Sequence, residues 1–417
     1  MKVKILIVNA HSSRNKGDAG IILSMIDSMK RNIPNCQIKI KTRFPDEDRT
    51  AYDVPVSEAV HNVIVGDQTS KFEKLKLAWG MFKILKKNNG KPAVTDPDYE
   101  WADVVVSCGG GFLLTHGFSV MTLQHLVQLK IAFDYKKPVI IYSQSIGPLY
   151  NKIIAQWTKD VLDKVEKIFV REKISEKLLQ KMKVKAPIEV VPDSAFSMDL
   201  VQSDFVDELV NFFKKDSNAP LVGVTVRDWK FPEVEDSAFH RKKYIKSIQA
   251  AIHHLETKYG AKVLLMPQVL GPNAFNDDRN ISREILNGMS DTKAQLIDID
   301  FHPRELKYFY SKMDMFIGTR MHSNIFALSS GVPTVAINYE HKTRGIMELL
   351  DLKEYVLDIS AITPEDLIEA ADKCWRNRNR LHSHLEKRIP GVILDAQLPA
   401  MYLNQLMRKK EKHLVNS

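Results

Sequence analysis

In the stretch FIGTRMHSNIFALSSGVPTVAINYEHKTRG, Arg320 and His322 stand between two apolar runs, and Lys342 follows the second run. A guanidinium is planar and matches the paired oxygens of a carboxylate or phosphate. An ammonium adds compact positive charge, and imidazole side chains exchange protons near neutral pH. Together these three suit a small polyanion. Each also has a plain structural use: an arginine can pair with a local carboxylate, and a histidine can be a satisfied core residue. Arg227 leaves another apolar run, GVTV, in the same way. Further candidates follow apolar runs nearer the start: Asn15, Gly17 and Asp18; the glycines Gly109, Gly110 and Gly111; and Gln144 with Ser145. Consecutive glycines let backbone N–H groups come close to an anion, although they also make simple tight turns. Gly17 and Asp18 could equally begin a helix, with the carboxylate at its positive end.

These residues need strands and helices to bring them together. Apolar, β-branched runs such as KVKILIVNA, ADVVV, KPVIIY and VEKIFV alternate with helical spacing. A polar turn, SQSIGP, is expected after VIIY. A second series runs PLVGVTV, AKVLLM, MDMFIGT and VPTVAINY, with helices between, one closed by Gly260 and one opened by Thr363 and Pro364. This alternation implies α/β architecture with parallel sheets covered on both faces. The expected division is a first Rossmann-like domain over 1–200, a second over 201–380, and a helical segment with a basic tail over 381–417. In an open parallel sheet, ligands bind beyond the carboxyl ends of the strands. Arg227, Arg320, His322 and Lys342 all leave such ends in the second series. The earlier candidates leave them in the first, and two doubly wound domains facing across a cleft would let both sets meet.

Composition narrows the function classes. The 417 residues carry 60 Lys and Arg against 51 Asp and Glu, a net charge of +9. That balance fits anionic substrates or an anionic membrane surface as well as an ordinary basic exterior. No helix-turn-helix, RNA-binding or zinc-finger pattern accompanies it, so nucleic acid is not expected as a partner. Three scattered cysteines imply a reducing compartment without a disulfide framework. The first apolar run is too short for a signal peptide, and a cytoplasmic location is expected. There is no GxGxxG, no P-loop, no Ser–His–Asp pattern and no metal-ligand spacing, so neither a metal nor another cofactor is expected.

The blocks NKGDAG, SCGGGFL, SQSIGP, VREKIS, VVPDSAF, GVTVR and GTRMHSNIFALSSGVPTVAINYEHKTRG together resemble the polysaccharide pyruvyl transferase family over most of the chain. The resemblance implies a GT-B-like fold. It also implies a reaction in which phosphoenolpyruvate gives pyruvate to two hydroxyls of a sugar, forming a ketal and releasing phosphate, in bacterial-type exopolysaccharide, capsule or cell-wall glycan synthesis. Matched by motif, Arg171, Arg227, Arg320, Lys342 and Ser323 would lie on the donor side. His322, Asp18 and Arg320 would be catalytic, with His322 the acid. Asn15, Gly17, Gly109, Gly110, Gly111, Gln144 and Ser145 would shape the acceptor side, with loops 44–70 and 112–120. The alternatives are a nucleotide-sugar glycosyltransferase of the same architecture and a non-catalytic glycan-binding relative.

One further stretch, SKFEKLKLAWGMFKILKKNNGK, has a helical pattern. Phe72, Leu75, Trp79, Phe82 and Leu85 fall on one broad apolar side, and Lys76, Lys83 and Lys87 on another, with Lys74 and Lys86 flanking. Two readings stand: a helix packed on its domain, or peripheral contact of 71–91 with the inner face of the plasma membrane. The second would suit a lipid-linked saccharide acceptor, and the basic tail MRKKEKH agrees with it. Oligomeric state is not readable.

Overall fold

The structure is a computed structural model that describes residues 2–60, 62, 70–86, 91–115, 117–215, 219–271 and 276–416. The chain forms two compact units. One comprises Met1–Ser13, Ile21–Ser197 and Leu394–Ser417; the other comprises Arg14–Gly20 and Met198–Ile393. The main crossing between the units lies between Ser197 and Met198. The C-terminal segment expected from 381 is divided at Ile393 and Leu394 instead, and the short stretch Arg14–Gly20 groups with the second unit.

The first unit holds strands β1 (Lys4–Ala10), β2 (Gln37–Thr42), β3 (Val56–Glu58), β4 (Val104–Ser107), β5 (Gly110–Thr115), β6 (Val139–Leu149), β7 (Lys167–Val170) and β8 (Ile188–Val190). They pair in the order β3-β2-β1-β4-β6-β7-β8, with β5 beside β6, all in parallel. The second unit holds β9 (Leu221–Thr225), β10 (Lys262–Leu265), β11 (Gln295–Leu296), β12 (Met315–Gly318), β13 (Thr334–Asn338) and β14 (Val356–Asp358). Their order, β11-β10-β9-β12-β13-β14, is also parallel throughout. Both orders reverse direction once, between β1 and β4 and between β9 and β12, which is the doubly wound arrangement.

The reason is visible strand by strand. Ile5, Leu6, Ile7 and Val8 of β1 and Val104, Val105 and Val106 of β4 have no exposed surface, so these strands need apolar side chains on both faces. Helix ends follow local chemistry: the helix Ser237–Tyr259 stops where Gly260 turns left-handed at φ 61°. The helix Pro364–Arg376 starts on a reciprocal capping pair between Thr363 and Asp366. SQSIGP is not a turn. β6 continues through it to Leu149 because β5 lies alongside and offers pairing partners that far. Left-handed φ angles at Ser143 (46°) and Gly147 (93°) absorb the irregular register. Correspondingly Gly110, expected in a loop, opens β5. No described helix is long and apolar enough to cross a membrane.

Candidate functional site

The polar candidates of the second unit gather at the carboxyl ends of β9, β10, β12 and β13. The topological switch lies between β9 and β12, where neighbouring loops part and leave room for a ligand. Thr319 donates its N–H to the Thr225 carbonyl at 3.0 Å, prolonging the β9–β12 pairing by one residue and bringing Arg320 to the edge. Arg320 caps the helix Met321–Ser329. Its Nε donates to both oxygens of Asp278, at 3.2 and 3.1 Å, and its Nη2 donates to Oδ1 at 2.5 Å. Asp278 is almost fully buried, and the Arg320 side chain keeps 14% of its surface exposed. Burial alone would lower the guanidinium pKa; the facing Asp278 carboxylate outweighs it and holds the group above its ordinary value.

Asp278 also fixes the β10 exit. Its Oδ2 accepts the N–H of Gln268 at 3.3 Å and of Val269 at 3.0 Å. That segment then receives the loop Arg14–Gly20. Lys16 donates its N–H to the Gln268 carbonyl at 3.1 Å, Leu270 donates to the Arg14 carbonyl at 3.0 Å, and Asn15 bridges Val269. Lys16 anchors the loop further through an ion pair with Asp300. Asn15 orders the rest: its Oδ1 accepts the Gly17 N–H at 3.1 Å, and its Nδ2 donates to Asp18 at 2.7 Å.

This loop is pressed against His322. A Cβ added at Gly17 would lie 2.6 Å from the histidine Cγ and 2.7 Å from its Cβ, and nearer still to Nδ1. The imidazole therefore rests on bare glycine backbone, at a half-buried position. Asn15, Gly17 and Asp18, expected on the first domain's side, thus belong to the structure that holds His322 and Arg320.

Arg227, just past β9, stacks its guanidinium 4.2 Å from the ring centre of Tyr339 and 4.8 Å from that of Trp229. The two rings are themselves 4.9 Å apart. Stacking fixes the plane of the fork. Tyr244 ties this corner to the β12 exit, its hydroxyl accepting the Arg227 N–H at 3.3 Å and sitting 2.8 Å from the Thr319 hydroxyl. Burial pushes the Tyr244 pKa up to about 12, so it stays a neutral phenol. Lys342 lies in the first turn of the helix His341–Leu349, three residues past Tyr339, with Nζ 3.5 Å from Glu340. Ser323 is fully buried, and its hydroxyl is used within the protein, 2.6 Å from that of Thr225 and donating to the Arg320 carbonyl at 2.7 Å.

The remaining candidates lie in the first unit. Gly109 sits where a Cβ would come 2.9 Å from the Tyr142 carbonyl, and Gly110 takes a left-handed φ of 123°. Gly109 thus serves the close approach to β6, while Gly110 and Gly111 begin β5. Gln144 is fully buried. Ser145 accepts the Arg171 Nε at 2.6 Å and donates to Glu172 at 2.7 Å. Arg171 also pairs with Asp193 at 2.5 Å, both groups buried. In this unit His11, just past β1, and His125, in the helix Val120–Asp134, are buried with their Nε2 atoms 3.2 Å apart. Burial foremost, then His125 and Arg43, push His11 well below the ordinary histidine range. Burial and Arg43 take His125 down to about 3. Of the loops 44–70 and 112–120, residues 61, 63–69 and 116 lie outside the described residues.

Sequence reasoning missed Asp278, Gln268, Tyr244 and Trp229. Tyr339 lies inside a quoted motif but was given no role there. Asp278 and Gln268 had none, because their parts depend on contacts with residues far away in sequence.

Set against known proteins, the chain matches a family model described as polysaccharide pyruvyl transferase over residues 15–341. It is 24% identical over 407 residues to the amylovoran biosynthesis protein AmsJ of Erwinia amylovora, covering 93% of this chain and 95% of that protein. Among solved structures it is similar to a UDP-GlcNAc 2-epimerase from Neisseria meningitidis bound to UDP-GlcNAc, with a TM-score of 0.60 at 13% identity, covering 97% of this chain and 100% of the other. It is also similar to Anabaena Alr3699/HepE in complex with UDP, with a TM-score of 0.58 at 12% identity, covering 99% and 100%. At these identities the likeness is one of fold: α/β, with two Rossmann-like units of the GT-B class.

Proposed function

Because the chain belongs to the polysaccharide pyruvyl transferase family, we propose that it transfers pyruvate from phosphoenolpyruvate to two hydroxyls of one sugar residue in exopolysaccharide, capsule or cell-wall glycan synthesis. The product is a cyclic ketal, and inorganic phosphate leaves. The observation that carries this reading is the group of Arg227, Arg320 and His322 at the β9–β12 switch, with Lys342 following β13 and the Asn15–Asp18 loop pressed against the histidine.

The donor is a small frame with a carboxylate at one end and a phosphate on its central carbon. Arg227, its fork held by two rings, and Arg320, through the edge that Asp278 does not take, receive those anionic groups together with Lys342. His322 gives a proton to the terminal methylene carbon, which becomes the methyl group and leaves the central carbon electrophilic. One sugar hydroxyl adds there and loses its proton to Asp18, whose carboxylate Asn15 orients. Phosphate departs with the bonding pair, and its growing charge is met by the same cations. The second hydroxyl adds to the same carbon and closes the ketal, its proton returning to His322, while the proton held by Asp18 passes to the departing phosphate. Arg171 and Ser323, whose polar atoms are already engaged within the protein, receive no donor contact in this scheme.

Acceptor-dependent phosphate release from phosphoenolpyruvate tests the reaction. His322→Gln should abolish release while phosphoenolpyruvate still raises the melting temperature. Stabilisation by UDP or a nucleotide sugar, with none by phosphoenolpyruvate, would overturn the donor assignment.

A further inference from the structure

The helix Lys71–Lys86 in the first unit has two apolar faces. One packs inward: Ala78, Met81 and Ile84 are buried in the core, and Leu77 and Leu85 pack against it. Leu85, which the helical pattern grouped with the aromatic residues, is therefore a packing residue. The other face looks outward. Phe72 is 77% exposed, Leu75 69% and Trp79 59%. A soluble helix needs one apolar stripe to join its domain; this helix carries a second, built from large side chains.

The outward face is one wall of an open groove of about 620 Å³, completed by Phe82, Phe118 and Trp157. The rings form a continuous shelf, with Trp79 and Phe82 stacked 5.4 Å apart and Phe82 5.3 Å from Trp157. Ile153, one turn before Trp157 on the helix Lys152–Leu162, extends it and is 57% exposed. Lysines rim the shelf. Lys76 lines it, the Lys83 ammonium is 5.7 Å from the Trp79 ring centre, and that of Lys86 is 4.5 Å from the ring centre of Phe82. Glu73, the carboxylate on the described part of this helix, is turned back to accept hydrogen bonds from Ser70. Lys87 and the side chain of Lys74 lie outside the described residues. The basic C-terminal helix is not part of the groove: its Lys410 lies beside Lys136 and Lys137, with Asp103, at the opposite, amino ends of the strands.

We propose that this groove and its lysine rim dock on the anionic surface of a lipid bilayer. Two arguments select that occupant. Tryptophan and phenylalanine flanked by lysines whose stems lie along the apolar surface is the composition of interfacial helices, where rings enter the acyl boundary and ammonium groups remain among headgroups. A protein–protein interface tends instead to be depleted of lysine relative to the rest of the surface. Among the described residues lining the groove the charge is positive, which complements anionic headgroups.

The full chain is mixed with vesicles of phosphatidylcholine alone and of phosphatidylcholine with phosphatidylglycerol, and binding is read by co-sedimentation. Binding is expected only to the anionic vesicles, weakening as salt rises. Each lysine near such a surface is worth roughly fivefold in partitioning, so Lys76→Glu, Lys83→Glu and Lys86→Glu together should weaken it by at least about 100-fold. Phe72→Ser with Trp79→Ser, both at exposed positions, should also weaken it while leaving the thermal transition in place. Equal binding to neutral vesicles, binding unchanged in either variant set, or concentration-dependent self-association that the same substitutions abolish would each overturn the proposal. Phosphate release from phosphoenolpyruvate with a free saccharide, measured without vesicles, should be unchanged in both sets. The donor chemistry and the docking surface therefore fail or survive separately.

Discussion

Gly17→Ala is the most discriminating single substitution. No left-handed backbone is required at Gly17, and a Cβ there meets His322 rather than backbone: 2.6 Å from Cγ and 2.7 Å from Cβ. Ordinary contact begins near 3.4 Å, so the imidazole must move by about 1 Å, a displacement that costs on the order of 100-fold when the displaced group takes part in the chemistry. Stability should fall as well: the contacts reach the histidine Cβ, which no side-chain rotation moves aside, overpacking of this kind costs about 1–3 kcal/mol, and the helix preference for alanine offsets only part of that. Gly17 lies in the first turn of the helix Lys16–Asn32, and alanine is favoured over glycine in helices by up to about 1 kcal/mol. The measurements are initial rates of acceptor-dependent phosphate release and a thermal melt on the same preparation. The expected result is a turnover number lower by about 100-fold with a lowered melting temperature and a retained cooperative transition. Full turnover would show that the placement of His322 against this loop has no part in the reaction. Loss of the cooperative transition itself would show that Gly17 is needed for the fold instead.

Asp278→Asn leaves the mostly buried Arg320 guanidinium without a compensating charge. Removing one partner of such a pair costs about 3–5 kcal/mol, so the melting temperature should fall by roughly 6 °C or more, and phosphate release should fall because the fork loses its orientation; retention of both would remove Asp278 from the site. The buried His11–His125 pair sets a pH dependence of stability. Both folded-state pKa values lie below the unfolded value, with His125 near 3, so the unfolded chain binds more protons below about pH 6.5. Their contribution is complete above that pH and declines as the pH falls toward 3, by up to about 1.4 kcal/mol per pH unit for each histidine. Thermal melts between pH 7 and 4.5 should show a shallower loss in His125→Gln than in the natural chain; parallel curves would refute it.

Much of this molecule is written locally. The alternation of β-branched runs with helical spacing specifies two parallel, doubly wound sheets, because each strand buried on both faces must be apolar throughout and each covering helix on one side. Polar residues after the strands mark the carboxyl edge, which is where open parallel sheets bind ligands in general, and the motif blocks from Asn15 to Lys342 carry the family. Turn chemistry was less legible. SQSIGP reads as a loop, yet β5 gives it strand partners. The outward face of the helix Lys71–Lys86 could not be separated from its packing face, since both are apolar and periodicity does not say which meets the core.

The amino-acid order by itself determined the architecture, the family and the position of Arg320, His322, Arg227 and Lys342 at strand ends, all of which follow from patterns a few residues long. Only the tertiary structure decided that Arg14–Gly20 groups with the second unit and backs His322, that Asp278 locks Arg320, and that Ser323 and Arg171 are occupied within the protein. Those outcomes rest on hydrogen bonds and close approaches between residues tens to hundreds of positions apart, and such pairings leave no periodic trace in the chain because they are set by the distances that folding creates.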